Sequence, residues 1–113
     1  MRKLDCICIV DDDEIFADSL ADFFQYRNLV ADVYYHPTHF LRNLSQYDKD
    51  TKICIDHDFK TTINGIELAK QLNEAGYTKL YLLSGRNFCE GEIPDYLEVL
   101  LKGDMDNIEK TLK

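Results

Sequence analysis

The sequence predicts an α/β domain in which a five-stranded parallel sheet carries helices on both faces. Two observations lead to this. Short apolar runs with the composition of buried strands recur five times along the 113 residues, and segments with helical spacing of apolar residues fall between them. Strands that alternate with helices pair in parallel through right-handed crossovers, and helices then cover both sheet faces. A chain of this length makes one domain, here residues 1–113, with no linker and no repeat of solenoid length.

Residues 4–10 (LDCICIV) read as the first strand, which acids end at Asp11. Phe16, Leu20, Phe23 and Phe24 then recur at helical spacing with Asp18, Asp22 and Gln25 between them, an amphipathic helix that starts near Asp13. Residues 30–35 (VADVYY) read as the second strand. Pro37 suits the first turn of a helix that carries Phe40, Leu44 and Tyr47 on one face. Residues 52–56 (KICID) are the third strand. Asn64 and Glu67 have the spacing of a capping box for a helix through Leu68, Leu72 and Ala75, which Gly76 closes. The fourth strand covers residues 80–83. Gly85, Gly91 and Pro94 leave room for only a short or irregular fourth helix within residues 84–95. YLEVLL (residues 96–101) is the fifth strand, and Asp104 can cap a last helix with Met105, Ile108 and Leu112 inward.

Composition narrows the classes of function. The formal charge of −8 disfavours direct contact with nucleic acid or an anionic membrane, since both repel such a chain over a Debye length of about 8 Å. An apolar fraction of 45% argues against disorder. No run reaches the roughly 18 apolar residues of a membrane span, and MRKLDCICIVDDD meets acids too early for a signal peptide. The expected location is the cytoplasm. Cys6, Cys8 and Cys54 lie inside strand-like runs, where thiols act as small hydrophobes. Neither the Cys6-x-Cys8 spacing nor the scattered His36, His39 and His57 makes a metal site.

In a parallel sheet, chemistry gathers at the carboxyl ends of the strands. There the sequence places Asp11, Asp12 and Asp13 after the first strand, Asp56 at the third, Ser84 at the fourth and Lys102 at the fifth. If the first and third strands are neighbours, Asp11, Asp12 and Asp56 converge, and a pair of carboxylates near 4 Å repels by about 1 kcal/mol in water or about 4 at an effective dielectric of 20. Such a cluster needs a counter-charge beyond Lys102. Mg²⁺ is commonly held by one or two carboxylates while it keeps waters and takes phosphate oxygens. Read singly, these acids are equally well helix caps, a role that fits Asp13 and by the same logic Asp12. The conjunction of acid pair, lone acid, hydroxyl and lysine at four strand ends favours a functional site.

Four stretches in order, IVDDDE, ICIDHDF with NGIELA, LYLLSG and LLKGD, resemble the receiver domain of two-component response regulators across nearly the whole chain. The resemblance implies a flavodoxin-like, doubly wound sheet with strand order 2-1-3-4-5. It implies that Asp56 accepts a phosphoryl group from a histidine kinase or phosphotransfer protein. Asp11 and Asp12 match the acidic pair that holds Mg²⁺ together with Asp56, and the backbone carbonyl of Asp58 is a further expected ligand. Ser84 matches the hydroxyl that bonds the phosphoryl group, Lys102 the lysine that pairs with it, and Gly85 the small residue that leaves the site open. The family role is a switch without substrate turnover, passing its signal to an output domain or partner, with a phosphorylation-dependent homodimer as a further expectation.

The chain departs from that pattern in three places. Asp56 and Gly65 are nine positions apart, one more than the commonest family spacing, and the loop lacks the usual proline. Gly103 follows Lys102 where the family has proline, which puts the expected cis peptide in question. Val99 occupies the position of the aromatic switch residue, and Tyr96 is out of register with it. Two other classes remain open. DHDFKT also resembles the D-x-D motif of haloacid-dehalogenase-like phosphohydrolases, with Asp56 as nucleophile and Asp58 as general acid, although that family places the motif on its first strand. The altered second half suits a receiver fold that binds a partner without phosphorylation.

Overall fold

The apolar runs form five strands: β1 (Cys6–Val10), β2 (Val30–Tyr34), β3 (Lys52–Asp56), β4 (Leu80–Ser84) and β5 (Leu97–Leu101). The computed structural model describes residues 6–60, 63–89 and 91–113, so Leu4 and Asp5 of the expected first strand lie outside the described residues. All strand pairs are parallel, in the order β2-β1-β3-β4-β5. This is the doubly wound, flavodoxin-like order. Among the described residues, no helix is long and apolar enough to cross a membrane.

Alternation along the strands divides the core between two faces. Cys8, Val10, Ile53, Ile55 and Leu82 face α2 (Pro37–Arg42) and α3 (Gly65–Glu74), against Phe40, Leu68 and Leu72. Ile7, Ile9, Cys54, Leu83 and Leu100 face α1 (Glu14–Tyr26) and α4 (Met105–Leu112), against Leu20, Phe24, Ile108 and Leu112. The central strands bury both sets, which is why β1 and β3 read as continuous apolar runs rather than alternating ones. Cys6, Cys8 and Cys54 fill core space as expected, and burial pushes the Cys54 thiol up to about 12 and the Cys8 thiol up as well. Neither Cys8 nor Cys54 is suited to act as a thiolate.

Local signals end the helices where the sequence places them. Asp13 accepts the Phe16 N–H at 3.1 Å and caps α1. Asn64 accepts the Glu67 N–H at 2.9 Å and caps α3, while Gly76 takes a φ of +104° just past its end. Asp104 caps α4 by accepting the Asn107 N–H at 3.1 Å.

One expected helix differs. α2 stops at Arg42, and a 3₁₀ turn at Leu44–Gln46 follows, so Phe40, Leu44 and Tyr47 reach the core from separate pieces. The break is held by polar partners: Asn43 donates to the His39 carbonyl at 2.9 Å, and the Tyr77 hydroxyl lies 3.0 Å from the carbonyls of both Leu44 and Tyr47. Between β4 and β5 the described residues contain no helix at all, only turns and bends. The fourth helix, expected to be short or irregular, is irregular chain among the described residues. Phe88, Ile93 and Tyr96 from this stretch pack on the core that a helix would have covered.

Candidate functional site

Strand register brings the site together before any side chain is considered. Val10 lies opposite Ile55, Asp56 opposite Leu83, and Ser84 opposite Leu101. Asp11, Asp56, Ser84 and Lys102 are thus the last or next residues of four adjacent strands. Backbone bonds fix these ends: Asp11 N–H to Tyr34 O at 3.0 Å, His57 N–H to Leu83 O at 3.0 Å, and Lys102 N–H to Ser84 O at 2.8 Å.

The carboxylates converge as the sequence suggests. Ligand oxygens of Asp11, Asp12 and Asp56 lie within 4.8 Å of one another. Asp11 is fully buried, and Asp56 and Ser84 are nearly so, at 3% and 2% exposure. Lys102 Nζ bridges the two buried acids, 3.0 Å from Asp11 Oδ2 and 3.1 Å from Asp56 Oδ1. It also sits over the Phe16 ring, 4.8 Å from its centroid. Burial alone would lower the Lys102 pKa, but the Asp11 and Asp56 carboxylates outweigh it and hold the ammonium above its ordinary value.

Asp11 is the strained member. Burial, with Asp56 adding to it, pushes its pKa up from 3.8 to about 6 against the opposing Asp13 N–H and Lys102. One oxygen, Oδ1, accepts the Asp13 N–H at 2.9 Å. The other, Oδ2, is buried without a hydrogen bond and has only the ion pair to Lys102. Three acids with one ammonium among them, one carrying an under-satisfied buried oxygen, fit a hard divalent cation held by oxygen ligands.

The three neighbouring acids in DDD have different partners. Asp13 is a helix cap. Asp12 is not: its Oδ2 accepts the Lys60 N–H at 2.8 Å across the cleft. This bond gives the longer loop after Asp56 a part to play, since Phe59 is buried in the core and Lys60 is pinned to Asp12. Thr61 and Thr62 of that loop lie outside the described residues. Asp58 is exposed and lines the same cleft of about 560 Å³ with Asp12, Asp56, Lys60 and Lys102. Its carboxylate stands outside the three-acid group.

Ser84 ends β4 at the same sheet edge, and its hydroxyl is engaged with Arg86. Its hydroxyl donates to the Arg86 carbonyl at 2.9 Å and accepts the Arg86 N–H at 3.1 Å. Gly85 has open space where a Cβ would lie, in keeping with an unobstructed site. Gly65, by contrast, is packed against backbone, and a Cβ there would run into the Asp56 carbonyl. In the sequence Gly65 stands only as part of the NGIELA stretch and as the end of the Asp56 spacing. No local signal at Gly65 exposes this contact, because its partner lies on β3. Among the described residues no peptide bond is cis, so Lys102–Gly103 is trans. Val99 is half-buried and packs on the core with Tyr96.

Comparison with solved structures agrees with this architecture. The receiver domain of a Francisella response regulator is similar with a TM-score of 0.79 at 20% identity, over 95% of this chain and 92% of that one. A CheY-like response regulator receiver domain protein from Methanospirillum hungatei JF-1 gives 0.72 at 16% identity, over 97% and 94%. The N-terminal domain of a response regulator/sensory box/GGDEF three-domain protein from Carboxydothermus hydrogenoformans gives 0.74 at 15%, over 95% and 89%. No family model and no curated protein matches the chain. The fold is that of response regulator receiver domains.

Proposed function

We propose that the chain is a phosphoacceptor receiver domain of a two-component phosphorelay, which takes a phosphoryl group onto Asp56. The observation that carries this reading is the convergence of Asp11, Asp12 and Asp56 around Lys102 at the carboxyl edge of a receiver-type sheet. In the reaction, an Asp56 oxygen attacks phosphorus as the bond from phosphorus to the donor imidazole nitrogen breaks, leaving an acyl phosphate and a free imidazole. Lys102 pairs with the phosphoryl oxygens, and Ser84 donates its hydroxyl to one of them. Asp11, Asp12 and Asp56, with the Asp58 carbonyl, would hold Mg²⁺, which when bound supplies positive charge to the phosphoryl oxygens.

The partners in this reading are a histidine kinase or phosphotransfer protein on the input side and an output domain or protein on the other, with a phosphorylated homodimer as one form of output. The charge of −8 speaks against direct binding of nucleic acid or membrane. Cys6, Cys8, Cys54 and Cys89 form no disulfide among the described residues, which suits a cytoplasmic location. In this reading the domain signals and turns over no substrate; what speaks against a phosphohydrolase is that DHDF begins only at the end of the third strand, whereas that family carries its motif on the first. A receiver fold acting without phosphorylation draws support from the lack of a helix among the described residues between β4 and β5.

Acetyl phosphate with Mg²⁺ is expected to give one acid-stable, base-labile phosphoryl adduct by intact mass, and Asp56→Asn none. No adduct from acetyl phosphate or from any kinase would overturn the reading in favour of a phosphorylation-independent module.

Metal binding carries a pH signature. Because the folded Asp11 pKa is raised from 3.8 to about 6, its contribution to stability is full below about pH 4 and lost as pH rises through 6. Above that range the buried charge weakens the metal-free protein and a bound cation relieves it. Millimolar Mg²⁺ should therefore raise the Tm more at pH 7.5 than at pH 5, and Asp12→Asn should shrink the rise. Equal shifts at the two pH values would count against this site.

A further inference from the structure

We propose that this chain transmits phosphorylation through a stacked relay of His57, Phe88 and Arg86, which Ser84 latches, in place of an aromatic residue on β5. The proposal rests on the phosphoacceptor reading above. Val99 has no ring to swing, yet an aromatic contact reaches the site from another direction.

His57 directly follows Asp56, and its ring meets Phe88 edge-on, with centroids 4.9 Å apart and planes at 76°. The Arg86 guanidinium lies over the same Phe88 ring, 4.0 Å from its centroid. Arg86 in turn pairs with Glu92 at 3.5 Å and donates to the Asn87 carbonyl at 3.0 Å. Glu92 accepts the Cys89 N–H at 2.8 Å, and its own N–H donates to the Cys89 carbonyl at 3.1 Å. The described residues between β4 and β5 form no helix, and these contacts organise them.

The latch is the Ser84 hydroxyl. It donates to the Arg86 carbonyl at 2.9 Å, so it cannot donate to a phosphoryl oxygen without giving up that bond. A phosphoryl group on Asp56 thus draws on Ser84 directly, and its added negative charge attracts the Arg86 cation two residues further on. Both effects remove Arg86 from Phe88. The ring then keeps only its edge contact with His57, and the turn closed by Cys89 and Glu92 loses its anchor. This stretch walls a groove of about 360 Å³ beside β5, lined by Phe88, Ile93, Pro94, Leu97 and Val99, so its loosening changes the shape of that groove.

Three hydrogen-bonded amides report on the relay: those of Arg86, Cys89 and Glu92. Hydrogen exchange is measured in short pulses on protein held with acetyl phosphate and Mg²⁺, with the adduct quantified by intact mass in the same samples. Phosphorylation is expected to speed exchange at these amides by about tenfold, the scale of losing one cation–π contact and its coupled bonds. β4 amides should stay protected as a control for global unfolding. In Phe88→Ala the adduct should form as in wild type, while exchange is already fast and no longer responds. Phe88→Leu, which keeps apolar bulk without a ring, and Arg86→Gln should both lose most of the response. Full adduct with unchanged exchange in wild type overturns the relay and leaves the phosphoacceptor reading intact. A wild-type response surviving in all three variants also overturns it, whereas absence of adduct overturns the phosphoacceptor reading itself.

Discussion

Lys102→Met is expected to lower the stability of the metal-free protein at pH 7 by about 2–4 kcal/mol, a range below the full cost of orphaning a buried charge because Lys102 is partly exposed. The substitution keeps most of the side-chain volume and removes the one ammonium that bridges Asp11 and Asp56, at 3.0 and 3.1 Å. Both carboxylates are then left together in a buried edge with Asp12 close by. Part of the penalty is relieved by protonation of Asp11, whose burial already favours the neutral acid. Urea unfolding with and without Mg²⁺ measures the effect. Since a divalent cation can replace the missing charge, saturating Mg²⁺ should recover much of the loss, while phosphoryl uptake stays low because the anion has lost its ammonium partner. A metal-free midpoint equal to wild type, or a deficit that Mg²⁺ does not narrow, would refute the charge balance described for this site.

Gly65→Ala is expected to cost about 2–3 kcal/mol, at the upper end of the usual range for overpacking. It should also sharply reduce adduct formation. The new methyl would meet the Asp56 carbonyl oxygen, lie 2.9 Å from the Asp56 carbonyl carbon and 2.8 Å from Leu82 Cδ1. The leucine can turn aside, but the Asp56 backbone is tied into β3 and the neighbouring His57 N–H is bonded to Leu83 O at 3.0 Å. Relief must therefore come from shifting either the start of α3 or Asp56 itself. α3 is also held there, since Gly65 N–H donates to His57 O at 3.1 Å. Gly85→Ala serves as the contrast: open space surrounds that position, so the same methyl should be tolerated within about 0.5 kcal/mol, as at ordinary surface sites. Comparable losses in the two variants would show that the steric account of Gly65 is wrong.

The two glycines show where sequence reading reached its limit. Both stood beside recognised motifs, and both were legible as small residues. Which of them faces a neighbouring backbone depends on how α3 docks against the end of β3, and no pattern local to either residue encodes that. The acids show the same boundary. Asp11, Asp12 and Asp56 were legible as a converging group because each ends a strand and the strands are parallel. That Asp12 would take the Lys60 N–H from a loop 48 residues away, and Asp13 a helix N–H three residues away, was not. Adjacent and chemically identical side chains differ only in what the fold brings to them.

Helix endings divide along the same line. The caps at Asp13, Asn64 and Asp104 depend on side chains within one turn of their targets, and all three stand where the pattern puts them. The early stop of α2 depends on Tyr77, 30 and 33 residues further along the chain from the carbonyls it approaches. The described residues before β5, which form no helix, are held by Phe88 reaching His57 on another strand end.

The sequence by itself determined the five strands, their parallel sense, the two-sided core and the placing of three carboxylates, a hydroxyl and a lysine along one sheet edge. These follow from periodicity, capping and strand-end position, which act over a few residues. Tertiary structure alone decided the bridging place of Lys102, the bond from Lys60 to Asp12, the backbone contact at Gly65 and the stack that ties Ser84 to Phe88 and His57. Each joins groups distant in sequence, and its strength depends on burial and ångström-scale distance, quantities that exist only once the sheet has formed.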